Sequence, residues 1–165
     1  MNQHLSPRHT LAAALTLITV VAVAAYAQTR PAVKVALSGM IERGSKESPL
    51  SEAGSVRPGE MLRWTILSRN EGQAPAINYQ TSAPIPKGTV YVPGSASGES
   101  TPQITYSIDG GRAYSAQPMI PEKQPDGTTK MVPAPPTMYT HVRFQWGSPL
   151  GASNTVKAYY STRVK

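Results

Sequence analysis

Few side chains in this sequence could carry out chemistry, and they are scattered. His141 is the one histidine after the first nine residues, and in its alternating run it points away from the apolar face of Val142 and Phe144. A lone histidine makes neither a metal site nor a catalytic triad. The carboxylates stand mostly in turns, as at Glu60 and Asp109, without an evident acid and base pair. We therefore predict no catalytic residue, no metal and no cofactor, which means that the chain is not an enzyme.

Basic and aromatic side chains offer a binding surface instead. They fall on the outward side of the last two alternating runs of the chain. If those two strands pair as a hairpin, the side chains form one basic surface with an exposed ring, which suits an acidic polysaccharide or another anionic polymer. A solvated sheet face without a ligand is the alternative. The candidate ligand-binding residues are His141, Arg143, Lys157, Tyr159 and Arg163.

Residues 1–27 have the pattern of a secretory signal. A polar start with Arg8 leads into an apolar run from Leu11 to Ala25, which is short for a membrane span of ~20 residues. The small residues of Ala25-Tyr26-Ala27 follow, so we predict a signal helix that is cleaved between Ala27 and Gln28. Export to the periplasm, the cell surface or the medium follows from this prediction. An uncleaved segment that anchors the chain in a membrane is the alternative.

Residues 28–165 are enough for a single domain with one core. Of the 16 Lys and Arg residues only Arg8 lies in the signal, so the cleaved chain would have fifteen cationic and nine carboxylate side chains. This excess of positive charge favours anionic partners or serves solubility. The sequence has no block of Lys and Arg residues, so it does not predict binding to a specific nucleic acid. The sequence contains no cysteine, so stability must come from packing without disulfides.

Alternating strands dominate the remaining sequence. The run from Met61 to Asn70 follows a Pro-Gly turn and places Leu62, Trp64 and Ile66 on one side, as in a half-buried strand. Two later runs repeat this pattern, and no helical period is sustained, so we predict an all-β sandwich of antiparallel sheets. The predicted core residues are Leu62, Trp64, Ile66, Val142, Phe144, Trp146, Val156 and Tyr160.

Turn signals divide the rest of the chain. We predict a first strand from Val33 to about Glu42, a loop over residues 43–55 and a strand over residues 76–81. Asp-Gly after Ile108 predicts that residues 104–108 form a hairpin with residues 112–116. The proline-rich residues 117–136 carry apolar pairs on either side of another Asp-Gly, which predicts a protruding edge hairpin.

The order of these turns and strands resembles the bacterial and archaeal "conserved repeat" domain, also called domain of unknown function eleven. The resemblance rests on Val56-Arg57-Pro58-Gly59-Glu60 before the Trp64 strand, on Pro86-Lys87-Gly88-Thr89-Val90-Tyr91 and on Ser107-Ile108-Asp109-Gly110-Gly111, and it covers about residues 33–165. It implies a secreted, immunoglobulin-like sandwich that acts as a structural or adhesive module. It carries over no catalytic residue.

The sequence therefore favours a non-enzymatic module of the cell surface or matrix. Its expected partners are other envelope or matrix proteins, including copies of itself. The first strand precedes the predicted loop over residues 43–55, so it could pair with the sheet edge of a neighbouring copy and build filaments. The alternative function is a carbohydrate or anionic-polymer binding module that uses the five residues named above. Contact with a membrane is expected only through an uncleaved signal.

Overall fold

The computed structural model describes residues 30–44 and 46–165. Within them the regular structure is β-strand apart from two single 3₁₀ turns, Leu50–Glu52 and Pro136–Met138, so the all-β prediction is confirmed. The predicted signal helix lies outside the described residues. The strands are β1 Val33–Arg43, β2 Lys46–Pro49, β3 Met61–Asn70, β4 Gln80–Pro84, β5 Thr89–Tyr91, β6 Ser97–Gly98, β7 Gln103–Ser107, β8 Met119–Lys123, β9 Thr129–Pro133, β10 His141–Gln145 and β11 Thr155–Val164.

The strands form two facing sheets and a separate hairpin. The large sheet has the order β2-β1-β3-β11-β5, and the short strand β6 also pairs with β11. The small sheet has the order β4-β10-β7. Strands β8 and β9 pair only with each other within the described chain, and they form the proline-rich hairpin expected over residues 117–136. The architecture is thus β-sandwich-like and antiparallel throughout.

Side-chain alternation produces the core between the two sheets. On β3, Leu62 and Ile66 are buried while Arg63 and Arg69 are exposed, as the period of two requires. The inward residues of β11 and β10 meet Ile66 in one apolar cluster. Of the eight core residues expected from the sequence, Trp64 is half-buried and the other seven are buried, namely Leu62, Ile66, Val142, Phe144, Trp146, Val156 and Tyr160.

Tyrosines tie the sheets together. The Tyr160 hydroxyl on β11 donates to the Pro84 carbonyl on β4 at 2.8 Å. The hydroxyls of Tyr91 on β5 and Tyr106 on β7 are 2.9 Å apart, and Tyr139 stacks on both rings. Burial raises the pKa values of Tyr106 and Tyr160 above the ordinary range, so both remain neutral. These contacts place the small sheet over the β11 and β5 side of the large sheet.

Four details of strand placement predicted from the sequence are wrong. Residues 43–55 contain β2 and a 3₁₀ turn rather than a loop alone. Residues 76–81 form only one bridge, at Ala76, before β4 begins at Gln80. Strand β7 meets residues 112–116 at a single bridge and pairs with β10 instead. Finally, β10 and β11 do not form a hairpin, because they belong to different sheets.

Candidate functional site

The five predicted ligand residues are not brought together. His141 and Arg143 point outward from β10 in the small sheet, because Val142 and Phe144 on the same strand fill the core. Lys157, Tyr159 and Arg163 point outward from β11 in the large sheet, since Val156, Ala158 and Tyr160 face inward. The two sheets face each other across the core, so these groups lie on opposite sides of the molecule. A single five-residue surface does not exist.

The small-sheet pair has local partners. The Arg143 guanidinium lies 3.5 Å from the centroid of the Tyr114 ring, in cation–π geometry. His141 Nδ1 lies 3.2 Å from the hydroxyl of Thr140. His141 also borders a cleft of about 520 Å³ that includes Lys87 and Lys165, and no Asp or Glu residue lines this cleft.

Strand β3 contributes two arginines beside the β11 residues. Arg69 lies opposite Thr155, and Arg63 lies opposite Ser161, so both share the outward face of the large sheet. We call Arg63, Arg69, Lys157, Tyr159 and Arg163 the basic face. Sequence reasoning missed the two arginines because it paired β11 with β10 rather than with β3. The alternation in the sequence shows that both arginines point outward from β3, but it does not show that β11 is the neighbouring strand.

The cations of the basic face differ in their pairing. Arg63 forms an ion pair with Glu47, with 2.8 Å between Nη1 and Oε1. Among the described residues, no carboxylate lies within ion-pair distance of Arg69, Lys157 or Arg163. These three side chains therefore form no ion pair within the described chain, and the nearby Glu99 carboxylate accepts the Lys157 backbone N–H at 2.9 Å.

A second feature is the free edge of β1. The carbonyl of Ala32 accepts the Glu71 N–H at 2.9 Å and therefore points toward β3. Backbone groups alternate sides along a strand, so those of Val33, Val35 and Leu37 point away from β3. In the described chain, β2 covers β1 only from Met40 to Arg43. We call residues 33–39 the free β1 edge.

Apolar side chains accompany this edge. Val35 and Leu37 lie on the inward side of the large sheet, opposite Ser68 and Ile66 of β3. Even so, 53% of Val35 and 44% of Leu37 are exposed, since the small sheet does not extend over β1. The Ser68 hydroxyl beside them is buried and has no hydrogen-bond partner among the described residues. The edge thus combines unpaired backbone groups with uncovered apolar surface.

The other edges are shorter or obstructed. Strand β5 has only three residues and lies between Pro86 and Pro93. Strand β4 ends at Pro84, and β7 is partly covered by the bridge from Tyr106 to Ser115. Proline and short length are the usual protections of sheet edges. The free β1 edge lacks both.

Comparisons with known proteins add no assignment. Neither the protein-family models, nor the curated proteins, nor the solved structures include a match to this chain. In residues 30–44 and 46–165, no group of three or more His, Asp or Glu residues is placed to hold a metal ion. No helix of this part of the chain has the length and apolar character to span a bilayer.

Proposed function

We propose that the chain is an exported, non-enzymatic structural or adhesive module that pairs with a second copy of itself through the free β1 edge. The observation that carries the proposal is the combination of open backbone groups and exposed Val35 and Leu37 on one strand. An unprotected edge of this kind is a template for adding a strand.

The sequence of the edge favours an identical strand as its partner. In an antiparallel pair centred on Ala36, Val35 faces Leu37 of the second copy, and Lys34 faces Ser38. The backbone N–H and C=O groups of Val35 and Leu37 then pair with those of the second copy. The apolar side chains of the two copies form one continuous apolar face. No like charges are opposed, and Lys34 is already neutralised by Glu71 in its own chain. This symmetric contact uses the same edge on both copies, so it closes at a dimer.

The wider assignment rests on the sequence. The signal pattern of residues 1–27 supports export to the periplasm, the cell surface or the medium. The resemblance to the conserved repeat domain supports an immunoglobulin-like sandwich and a structural role among envelope or matrix proteins. The antiparallel, β-sandwich-like architecture agrees with that resemblance at the level of class.

Cysteine substitution tests the pairing, because the natural chain has none. At the centre of the proposed pair, two Ala36→Cys copies bring their Cα atoms about 4.5–5.5 Å apart, within disulfide range. The matched control is Ser38→Cys, on the same face of β1, whose two copies lie about 13 Å apart along the strands. We expect disulfide dimers under mild oxidation for Ala36→Cys only. Equal cross-linking of both variants, or of neither, contradicts the proposed pairing.

Light scattering on the exported protein provides the second test. We expect a concentration-dependent dimer that Val35→Lys with Leu37→Lys converts to a monomer of unchanged circular dichroism, because like charges oppose association at an edge. Ile77→Lys is the matched control, since Ile77 is a 71% exposed apolar residue away from β1. A wild-type protein that stays monomeric at high concentration overturns the proposal, and regular filaments overturn its closed symmetry.

A further inference from the structure

We infer that the basic face binds an acidic polysaccharide, with Tyr159 as the platform for a sugar ring. This inference uses the outward side of β3 and β11, so it holds whether or not copies pair through β1. It replaces the five-residue surface expected from the sequence with one that lies on a single sheet.

The basic face has two cationic ends with a ring between them. Arg69 and Lys157 are near one end of the β3 and β11 ladder, and Arg163 lies at the other. From Lys157 to Arg163 the strand rises about 20 Å. Tyr159 lies within this span, beside Thr65 on one side and Ser97 on the other. An extended ligand along β11 meets cation, ring and cation in turn.

Tyr159 is half-buried and remains partly accessible to a ligand. Its cross-strand neighbours are a threonine and a serine, which are small and supply hydroxyl groups. Other aromatic residues of the described chain, such as Trp64 with Tyr160 and Tyr79 with Trp146, stack in pairs, whereas Tyr159 has no aromatic partner there. The apolar face of a tyrosine and its polar tip suit a pyranose ring edged with hydroxyls.

The spacing of charge favours a polysaccharide over other polyanions. A nucleic acid strand carries one phosphate per about 3.4 Å of helix rise, which calls for closely spaced cations. Here the cations without an ion-pair partner in the described chain stand at the two ends of the face. The stretch between them holds Tyr159, Thr65 and Ser97, together with Arg63, whose charge is paired with that of Glu47. A glycan with carboxylates on some of its sugars matches this pattern. A bilayer surface would favour several outward apolar side chains, and Leu67 contributes one that is only 37% exposed.

Binding of hyaluronate, which carries a carboxylate on alternate sugars, by the exported protein tests the inference. We expect Lys157→Gln with Arg163→Gln to weaken binding about tenfold or more, since charge-assisted hydrogen bonds to carboxylates are lost. Lys123→Gln with Lys130→Gln is the matched control, because it removes the same charge from the separate β8 and β9 hairpin. Tyr159→Ala should also weaken binding, and added salt should weaken it further.

Three outcomes overturn the inference. Equal loss in the two double variants would mean that only net charge matters. Unchanged affinity of Tyr159→Ala would remove the ring from the site. Equal or tighter binding of oligothymidylate or of phosphatidylglycerol vesicles would replace the polysaccharide by a nucleic acid or a membrane surface.

Discussion

Trp64 packs its ring over the bare backbone of Gly39, the residue opposite it on β1. A Cβ atom at Gly39 would lie 2.9 Å from the Trp64 ring and 3.2 Å from the Leu50 side chain. On its other side the indole stacks on Tyr160, and its N–H donates to the Thr162 hydroxyl at 3.0 Å. The tryptophan is therefore fixed by three strands of the large sheet, and Gly39 supplies the space for it.

Gly39→Ala should destabilise the fold by about 1–3 kcal/mol, because the added methyl overpacks a ring that cannot move freely. The measurement is urea unfolding followed by tryptophan fluorescence. Gly147→Ala is the control, since a Cβ there meets no atom within 4 Å. Equal stability of the two variants would contradict the packing described for Trp64.

Asn70→Asp should cost about 3 kcal/mol or more of folding free energy at neutral pH. The buried Asn70 amide donates to the carbonyls of Ala74, Leu150 and Gly151, while its oxygen accepts the N–H groups of Ala32 and Gly72. A carboxylate would oppose those three carbonyls without a proton to donate.

Chemical denaturation of Asn70→Asp and of the exposed Asn78→Asp provides this measurement. We expect a large loss only at position 70, and a smaller one at acidic pH, where a protonated carboxyl can donate one hydrogen bond. A well-folded Asn70→Asp protein at neutral pH would contradict the role of the amide.

Asp109 should stabilise the fold in a pH-dependent way. The Ala113 N–H, followed by the Ser107 hydroxyl, holds the pKa of Asp109 below its usual range. Since the folded pKa is the lower one, the stabilisation is present above the unfolded pKa and is lost as the pH falls through the folded value.

Unfolding midpoints of wild type and Asp109→Asn across the acidic range measure this effect. The variant should be less stable at neutral pH, because its amide nitrogen cannot accept these bonds. The difference should shrink as the pH falls below about 4. A difference that stays constant with pH would show that the carboxylate charge is not involved.

The β8 and β9 hairpin should be dispensable for folding. It pairs with no other strand of the described chain, and the Ala134 N–H closes its base by donating to the Pro118 carbonyl at 2.8 Å. Replacing residues 119–133 by a short Gly-Ser linker should change the unfolding free energy by no more than about 1 kcal/mol, because isolated hairpins are marginal by themselves. Loss of cooperative unfolding in that variant would show that the hairpin supports the core.

Strong alternation made several strands predictable, but it did not identify their neighbours. The runs around Trp64, Phe144 and Tyr160 have a clear period of two, which fixes the buried face of each strand. The alternation of side chains along one strand does not show which strand pairs with it. The sequence therefore suggested that β11 pairs with β10, whereas it pairs with β3. The composition of the basic face depends on that pairing, and Arg63 and Arg69 were therefore missed.

Short or polar elements left little trace in the sequence. Strand β2 contains Lys46, Glu47 and Ser48, and its pairing with β1 does not depend on an apolar alternation. Asn70 ends a strand in the sequence pattern, and that pattern does not indicate that its buried amide joins several segments. The exposure of Val35 and Leu37 also depends on how far the small sheet extends, and no local sequence pattern encodes that extent.

The directions of the strands in the large sheet determine how the domain would bear a pulling force. Strand β1 starts opposite Asn70, whereas β11 ends near Met61, so the outer ends of these two strands lie at opposite ends of β3. Tension applied through them slides β1 and β11 lengthwise past β3. Because the ladder bonds are perpendicular to the strands, they share such a load and must break nearly together instead of opening one by one. A module in a stretched surface layer would gain mechanical strength from this arrangement.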